Sequence, residues 1–183
     1  MFVKITNFAH GTTTDNEAHI SSGWSDPELS LLGIEQSEKL KNLIKDKNFD
    51  AVFSSDLKRA LDTAKLAFEG RNVTVTTDSR LRECNYGKLN GSPESVVEPM
   101  CESECIYNPF PEGESYEDVK ARIVEFLDFL GKNYNGKSVA IVSHKAPQLA
   151  FEVLLNNKTW EQALVEDWRN TKSWVPGWEY NLE

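Results

Sequence analysis

Apolar residues recur along this chain with two periods. FVKITNF (2–8) is an alternating or buried strand. From Gly33 to Lys47, Ile34, Leu40, Leu43 and Ile44 fall at helical spacing. FDAVFSS (49–55) is a short apolar strand that ends in serines, and LKRALDTAKLAFEG after Asp56 is an amphipathic helix closed by Gly70. VTVTT (73–77) is short and β-branched, hence a strand. A long helix is predicted from Ser115 to Tyr134, with Ser115 as N-cap and Asp118 three residues on. SVAIVSH (138–144) is continuously apolar until its last residues, as a central strand should be. Helices are predicted from Pro147 to Leu155 and from Trp160 to Glu166. SWVPGWEYNL reads as a final edge strand, restricted by Pro176.

Strands separated by helices predict an α/β fold: a three-layer sandwich with a mostly parallel central sheet flanked by helices. No repeat or linker divides residues 1–183, so one domain is expected. Asn85 to Glu114 stands apart. It holds Pro93, Pro99, Pro109 and Pro111 with little periodicity, and is too long for an ordinary connection. It is expected to be a functional loop or small cap inserted in the domain.

Composition narrows the partners. With 20 Lys and Arg against 29 Asp and Glu, the net charge is −9, and no basic stripe for nucleic acid is visible. The lysines of KLKNLIKDKNFD interleave with apolar positions and read as a solvated helix face. No run of about 18 apolar residues predicts a membrane span, and MFVKITNF turns polar too early for a signal peptide. A cytoplasmic protein is the default expectation. Cys84, Cys101 and Cys105 are too few for a disulfide scaffold and have no histidine beside them for zinc. An acidic chain that binds a small anion needs a local positive pocket.

Three predicted strands end in reactive groups: His10-Gly11, Ser54-Ser55-Asp56 with Arg59 close behind, and Ser143-His144. In open α/β sheets ligands bind beyond the carboxyl ends of strands. Parallel neighbours would therefore bring His10, Arg59 and His144 to one edge, with Glu83 in reach from the next loop. Neutral imidazole can take a phosphoryl group, guanidinium matches phosphate oxygens, and a carboxyl group can shuttle the leaving-group proton. Taken from the residues alone, Glu83 pairing with Arg80 or Arg82 is an open alternative. His19 reads as a surface-loop or pocket-rim residue.

Six stretches also resemble the histidine phosphatase superfamily, the phosphoglycerate-mutase-like group: AHGTTTDN, LSLLGIEQ, SSDLKRALDTA, RLRECNYGKLNG, FPEGESYEDVKAR and VAIVSHKAP, in the family's order. The resemblance implies His10 as phosphohistidine nucleophile, Glu83 as proton donor, and His144 as second histidine of the phosphate pocket. It implies Arg59 as phosphate clamp, Asn16 as a further phosphoryl contact, and Gly11 as the tight turn beside the nucleophile. It implies a small phosphorylated substrate, no metal and no cofactor. Two departures stand out. Ala9 occupies the place of the signature arginine, and Lys145-Ala146 the place of a frequent Gly-Gly. A compensating cation is expected from Lys145, Arg80 or Arg82, with Lys145 placed in the substrate site. A small phosphomonoesterase is the leading expectation. A degenerate family member that binds a phosphorylated ligand or partner with little turnover is the alternative, and a mutase a weaker one. Tyr86, Tyr107, Phe110, Trp174 and Trp178 are candidates for an apolar pocket wall or for packing. Trp160, Trp168, Trp174 and Trp178 are expected to anchor the C-terminal segment on the sheet. Monomer and homodimer both stay open.

Overall fold

Strand β1 (Val3–Ala9) lies between two neighbours that come from the far end of the chain. The computed structural model describes residues 2–171 and 177–183. After β1 come α1 (Thr14–Glu17), β2 (Ile20–Ser21), α2 (Leu31–Leu43), β3 (Ala51–Ser54), α3 (Lys58–Phe68) and β4 (Val75–Thr77). The second half holds β5 (Ser92–Pro93), α4 (Glu94–Cys101), α5 (Tyr116–Asn133), β6 (Ser138–Ser143), α6 (Lys145–Leu155), α7 (Trp160–Val165) and β7 (Trp178–Leu182). The main sheet has the order β4-β3-β6-β1-β7. Its first four strands are parallel and β7 is antiparallel, with Ile5 opposite Tyr180. The α/β sandwich with a mostly parallel sheet is as the alternating pattern predicts.

The period of two sorts each strand between two cores. Val3, Ile5, Phe53, Val139 and Ile141 pack with α5 and α6, through residues such as Ile123, Phe126, Leu149 and Phe151. Phe8, Val52, Ala140 and Val142 pack on the other face with Leu40 of α2 and Ala60, Ala64 and Phe68 of α3. Both faces of β6 are buried, which is why its sequence is an apolar run rather than an alternation.

The element boundaries differ from the sequence expectation for local reasons. α2 begins at Leu31, two residues early, because the Ser30 hydroxyl accepts the Gly33 N–H. At α5 the capping box is complete: Ser115 accepts the Asp118 N–H and the Asp118 carboxylate accepts the Ser115 N–H. α6 begins at Lys145 and simply includes Pro147, whose missing N–H is no loss in a first turn. Asp56 does not cap α3. It pairs with Arg82, while Asp26 from the loop before α2 accepts the Lys58 N–H.

Residues 85–114 hold more regular structure than expected. They contain β5, which pairs with β2, and helix α4 with Pro99 inside it. Cys101 closes α4, whereas Cys105 lies in a separate 3-10 turn, so the two do not share a helix face. Tyr86 and Phe110 pack edge to face at 5.0 Å, both buried, and Tyr107 is exposed. At the C-terminal end Trp160 is buried on Tyr116, and Trp168 stacks near Trp178 at 6.2 Å. Burial of an indole such as Trp160 contributes about 2–3 kcal/mol. The expectations on Trp174 and Pro176 lie outside the described residues. Among the described residues no helix is long and apolar enough to cross a membrane.

Candidate active site

The parallel pairing brings the three predicted strand ends together. Ala9 is in register with Ser143, and Ser54 with Val142, so β1, β6 and β3 end side by side. The His10 and His144 rings stand 5.0 Å apart between centroids. A cavity of about 590 Å³ opens at this edge, lined by Ala9, His10, Asn16, Arg59, Glu83 and Lys145, among others.

The backbone on both sides of His10 is fixed. The His10 N–H bonds the Ser143 carbonyl, and the Gly11 N–H donates to the Thr63 hydroxyl of α3 at 2.9 Å. Gly11 does not touch the cavity. A Cβ there would come within 2.5 Å of the Gly33 carbonyl oxygen, and one on Gly33 within 2.0 Å of the Thr12 oxygen. Gly11 therefore lets this loop lie close against helix α2.

His10 Nδ1 is 2.7 Å from the Gly11 carbonyl oxygen. A carbonyl only accepts, so Nδ1 carries the proton and Nε2 keeps its lone pair. Burial and the nearby Arg59 charge lower the His10 pKa to about 3. His144 is 1 % exposed, and neither of its ring nitrogens has a hydrogen-bond partner among the described residues. Burial, then the Arg59 charge, pushes its pKa well below the ordinary histidine value. Both imidazoles are neutral at pH 7.

These shifts predict acid sensitivity. The unfolded chain protonates its histidines near pH 6.5, while folded His10 resists to about pH 3. The stability is then complete above pH 6.5 and is lost as pH falls through that window. The slope is about 1.4 kcal/mol per pH unit for each fully responding group. The urea midpoint of the wild type is expected to drop between pH 7.5 and 5. The drop should shrink in the double variant H10A/H144A, and an equal drop in both would contradict the assignment.

Arg59 is 2 % exposed, and its two terminal nitrogens donate to the Ser25 and Gly23 carbonyls at 2.9 and 2.8 Å. Among the described residues no carboxylate hydrogen-bonds the guanidinium, which two backbone carbonyls hold in place. Asn16 spends its amide oxygen on the Thr13 N–H and hydroxyl, which directs the Nδ2 end away from that cap. Glu83 does not pair with Arg80 or Arg82. Its Oε1 accepts the N–H groups of Cys84 and Ala146 at 2.8 and 3.0 Å, and Oε2 that of Lys145 at 3.1 Å. It thus caps α6 from another loop, in place of a side-chain cap at His144.

The expected compensating cations meet different fates. Arg80 binds Asp78 and lies over Phe126 and Phe129; Arg82 binds Asp56 and lies over Trp24. Neither lines the cavity. Lys145 does, but its ammonium is tied to Glu98. Burial presses the Lys145 pKa down, and the Glu98 carboxylate outweighs it and holds the value above that of an ordinary lysine. His19 is exposed, pairs with Glu94 at 3.2 Å and does not line the cavity. Of the candidate wall aromatics, Tyr86 reaches the cavity.

Sequence reasoning missed two contributors. Helix α4 presents Glu94, Glu98 and, just past its end, Glu102 to the cavity. Their spacing of four is a visible signal, but Pro99 hides the helix. Arg169 also lines the cavity, from a 3-10 turn (Trp168–Thr171) that no motif marks.

A model of the histidine phosphatase superfamily (branch 1) matches residues 8–173. Fructose-2,6-bisphosphatase TIGAR of Xenopus tropicalis is 34% identical over 135 residues, covering 69% of this chain and 49% of that protein. Probable phosphoglycerate mutase GpmB of Yersinia pestis is 32% identical over 142 residues, covering 74% and 66%. The chain thus matches about half to two thirds of the length of these relatives. The structure of a mycobacterial glucosyl-3-phosphoglycerate phosphatase with VO3 is 26% identical, with a TM-score of 0.77 over 88% of this chain and 86% of that one.

Proposed function

The chain belongs to the histidine phosphatase superfamily (branch 1), and on that premise we propose that it is a small phosphomonoesterase working through a phosphohistidine on His10. The observation that carries this is the state of His10: a neutral ring, anchored through Nδ1 on the Gly11 carbonyl, beside His144 and a buried arginine held by two backbone carbonyls. Such a ring offers Nε2 as a nucleophile at neutral pH without waiting to lose a proton.

In this reading Nε2 forms the N–P bond as the ester P–O bond breaks. Arg59 and the Asn16 amide bind phosphoryl oxygens. His144, neutral and unpartnered, donates to another of them. The Glu83 carboxyl gives its proton to the departing alkoxide. It then takes one from the water that cleaves N–P, which returns His10 and releases phosphate. Residues 1–183 act as one domain, with 85–114 as its cap.

The cap bears on substrate class. Glu94, Glu98 and Glu102 line the same cavity as His10. A bisphosphate or phosphoglycerate would bring a second anion to this wall, at a Coulombic cost. The reading is therefore a monoester whose remaining part is uncharged or cationic, rather than a mutase substrate. The double variant E94Q/E102Q is expected to shift selectivity about 3- to 10-fold toward esters with a second anionic group. This is measured as the ratio of kcat/KM for phosphoglycerate to that for an uncharged alcohol phosphate. An unchanged ratio would remove the cap from substrate choice.

The test of the activity is a rapid quench with a ³²P-labelled phosphomonoester. The expected product is protein-bound phosphoryl that is lost in acid and stable in base, formed and consumed at the rate of turnover. Hydrolysis with no such species, or no hydrolysis across a broad panel of monoesters, would overturn the reading.

A further inference from the structure

A phosphate ester arriving as a dianion at a chain of net charge −9 must be met by cations inside the cavity. Among the described residues three cationic side chains line it: Arg59, Lys145 and Arg169. Lys145 spends its one nitrogen on Glu98, whereas Arg169, also ion-paired, meets Asp167 through Nη1, one of three guanidinium nitrogens. Arg59 is one guanidinium, already fixed by two carbonyls. Ala9 also faces the cavity, and its side chain stops at Cβ, so the wall next to His10 supplies no charge from β1.

Arg169 enters from the other end of the chain. Its Nη1 donates to the Asp167 carboxylate at 2.8 Å and to the Gln148 amide oxygen at 3.2 Å. Those two partners are 5 % and 4 % exposed, so they form a rigid mount. The guanidinium also lies over the Trp168 ring at 4.8 Å. Of this mount, Gln148 belongs to α6, the helix that His144 precedes and Glu83 caps, and Asp167 lies between α7 and the 3-10 turn. The Arg169 charge reaches both imidazoles and contributes to lowering the pKa of each.

We infer that Arg169 is a phosphate-binding residue of this site, the second guanidinium that joins Arg59 around the phosphoryl oxygens. It does from the C-terminal side what a basic residue at position 9 would do from β1. The inference rests on the phosphatase reading of the site, but its test needs no turnover.

Inorganic phosphate is titrated calorimetrically into the wild type and into R169M, R169K, A9R and A9R/R169M. R169M is expected to weaken phosphate binding about 10- to 100-fold, the loss of a charge-assisted pair of hydrogen bonds. R169K should recover part of it. In the wild-type background A9R should change affinity less than about 3-fold, whereas in R169M it should restore most of the loss. A purely structural role for Arg169 would not be rescued from position 9. Unchanged binding in R169M, or an equal gain from A9R in both backgrounds, would overturn the inference and leave the phosphatase reading standing. Failure of the wild type to bind phosphate at all would overturn both.

Discussion

H10A is expected to abolish the trapped phosphoryl group and to lower kcat by at least about 10⁴-fold. The size of the effect follows from the absence of a substitute. His144 is the nearest imidazole, but it is 1 % exposed and, in the proposed mechanism, gives its N–H to a phosphoryl oxygen, so it does not stand in line with the leaving group. The Nε2 lone pair of His10 exists because Nδ1–H is committed to the Gly11 carbonyl, and its neutrality follows from a pKa near 3. Water in the emptied site keeps the electrostatic benefit of Arg59 but loses the nucleophile. A residual rate is therefore expected, with no covalent species. Phosphate affinity should change far less than kcat, which separates loss of chemistry from loss of the pocket. Retention of more than about a tenth of the activity in H10A would mean that the reaction does not pass through this residue.

E83Q is expected to cost about 10³-fold on an alkyl phosphate, within the range of general acid–base catalysis. Glutamine is close in shape, so the cavity persists. Its amide group would, however, face an N–H donor at the Lys145 or Ala146 position, with loss of one buried acceptor and about 1–2 kcal/mol of stability. Two effects then overlap, and the leaving group separates them. With p-nitrophenyl phosphate the departing phenolate needs no proton, so phosphorylation of His10 should survive. Hydrolysis of the phosphohistidine should stay slow, because its water lacks a base. The expected signature is a burst of nitrophenolate followed by slow turnover. A uniform loss across leaving groups, with a lowered Tm, would reduce Glu83 to the cap of α6.

Much of this arrangement is legible in the sequence because strand ends and sheet order obey strong local rules. The apolar run VAIV (139–142) inside β6 announces a central strand, and parallel neighbours put His10, Arg59 and His144 at one edge once their strands are recognised. The remainder depends on contacts that have no local period. Gly11 is implied as a tight turn beside the nucleophile, but that the close approach it permits is to Gly33 has no local sign. Glu83 has two arginines next to it in sequence and bonds neither, because the unsatisfied N–H groups of α6 claim its oxygens. Helix α4 carries a proline that argues against a helix, so its acidic face stays hidden. Arg169 is one of several arginines without a motif, and only the fold over α6 shows where its mount lies.

The position of β1 has a consequence for how the protein is made. Its two hydrogen-bonded neighbours, β6 and β7, are translated after β2, β3, β4 and β5. Once synthesised, β1 must wait for more than a hundred further residues before either of its edges is covered. Until then Val3, Ile5 and Phe8 are exposed on a nascent chain, open to chaperones and to self-association. A chain stopped before Ser138 would hold His10 and Arg59 but could assemble neither the sheet nor the site.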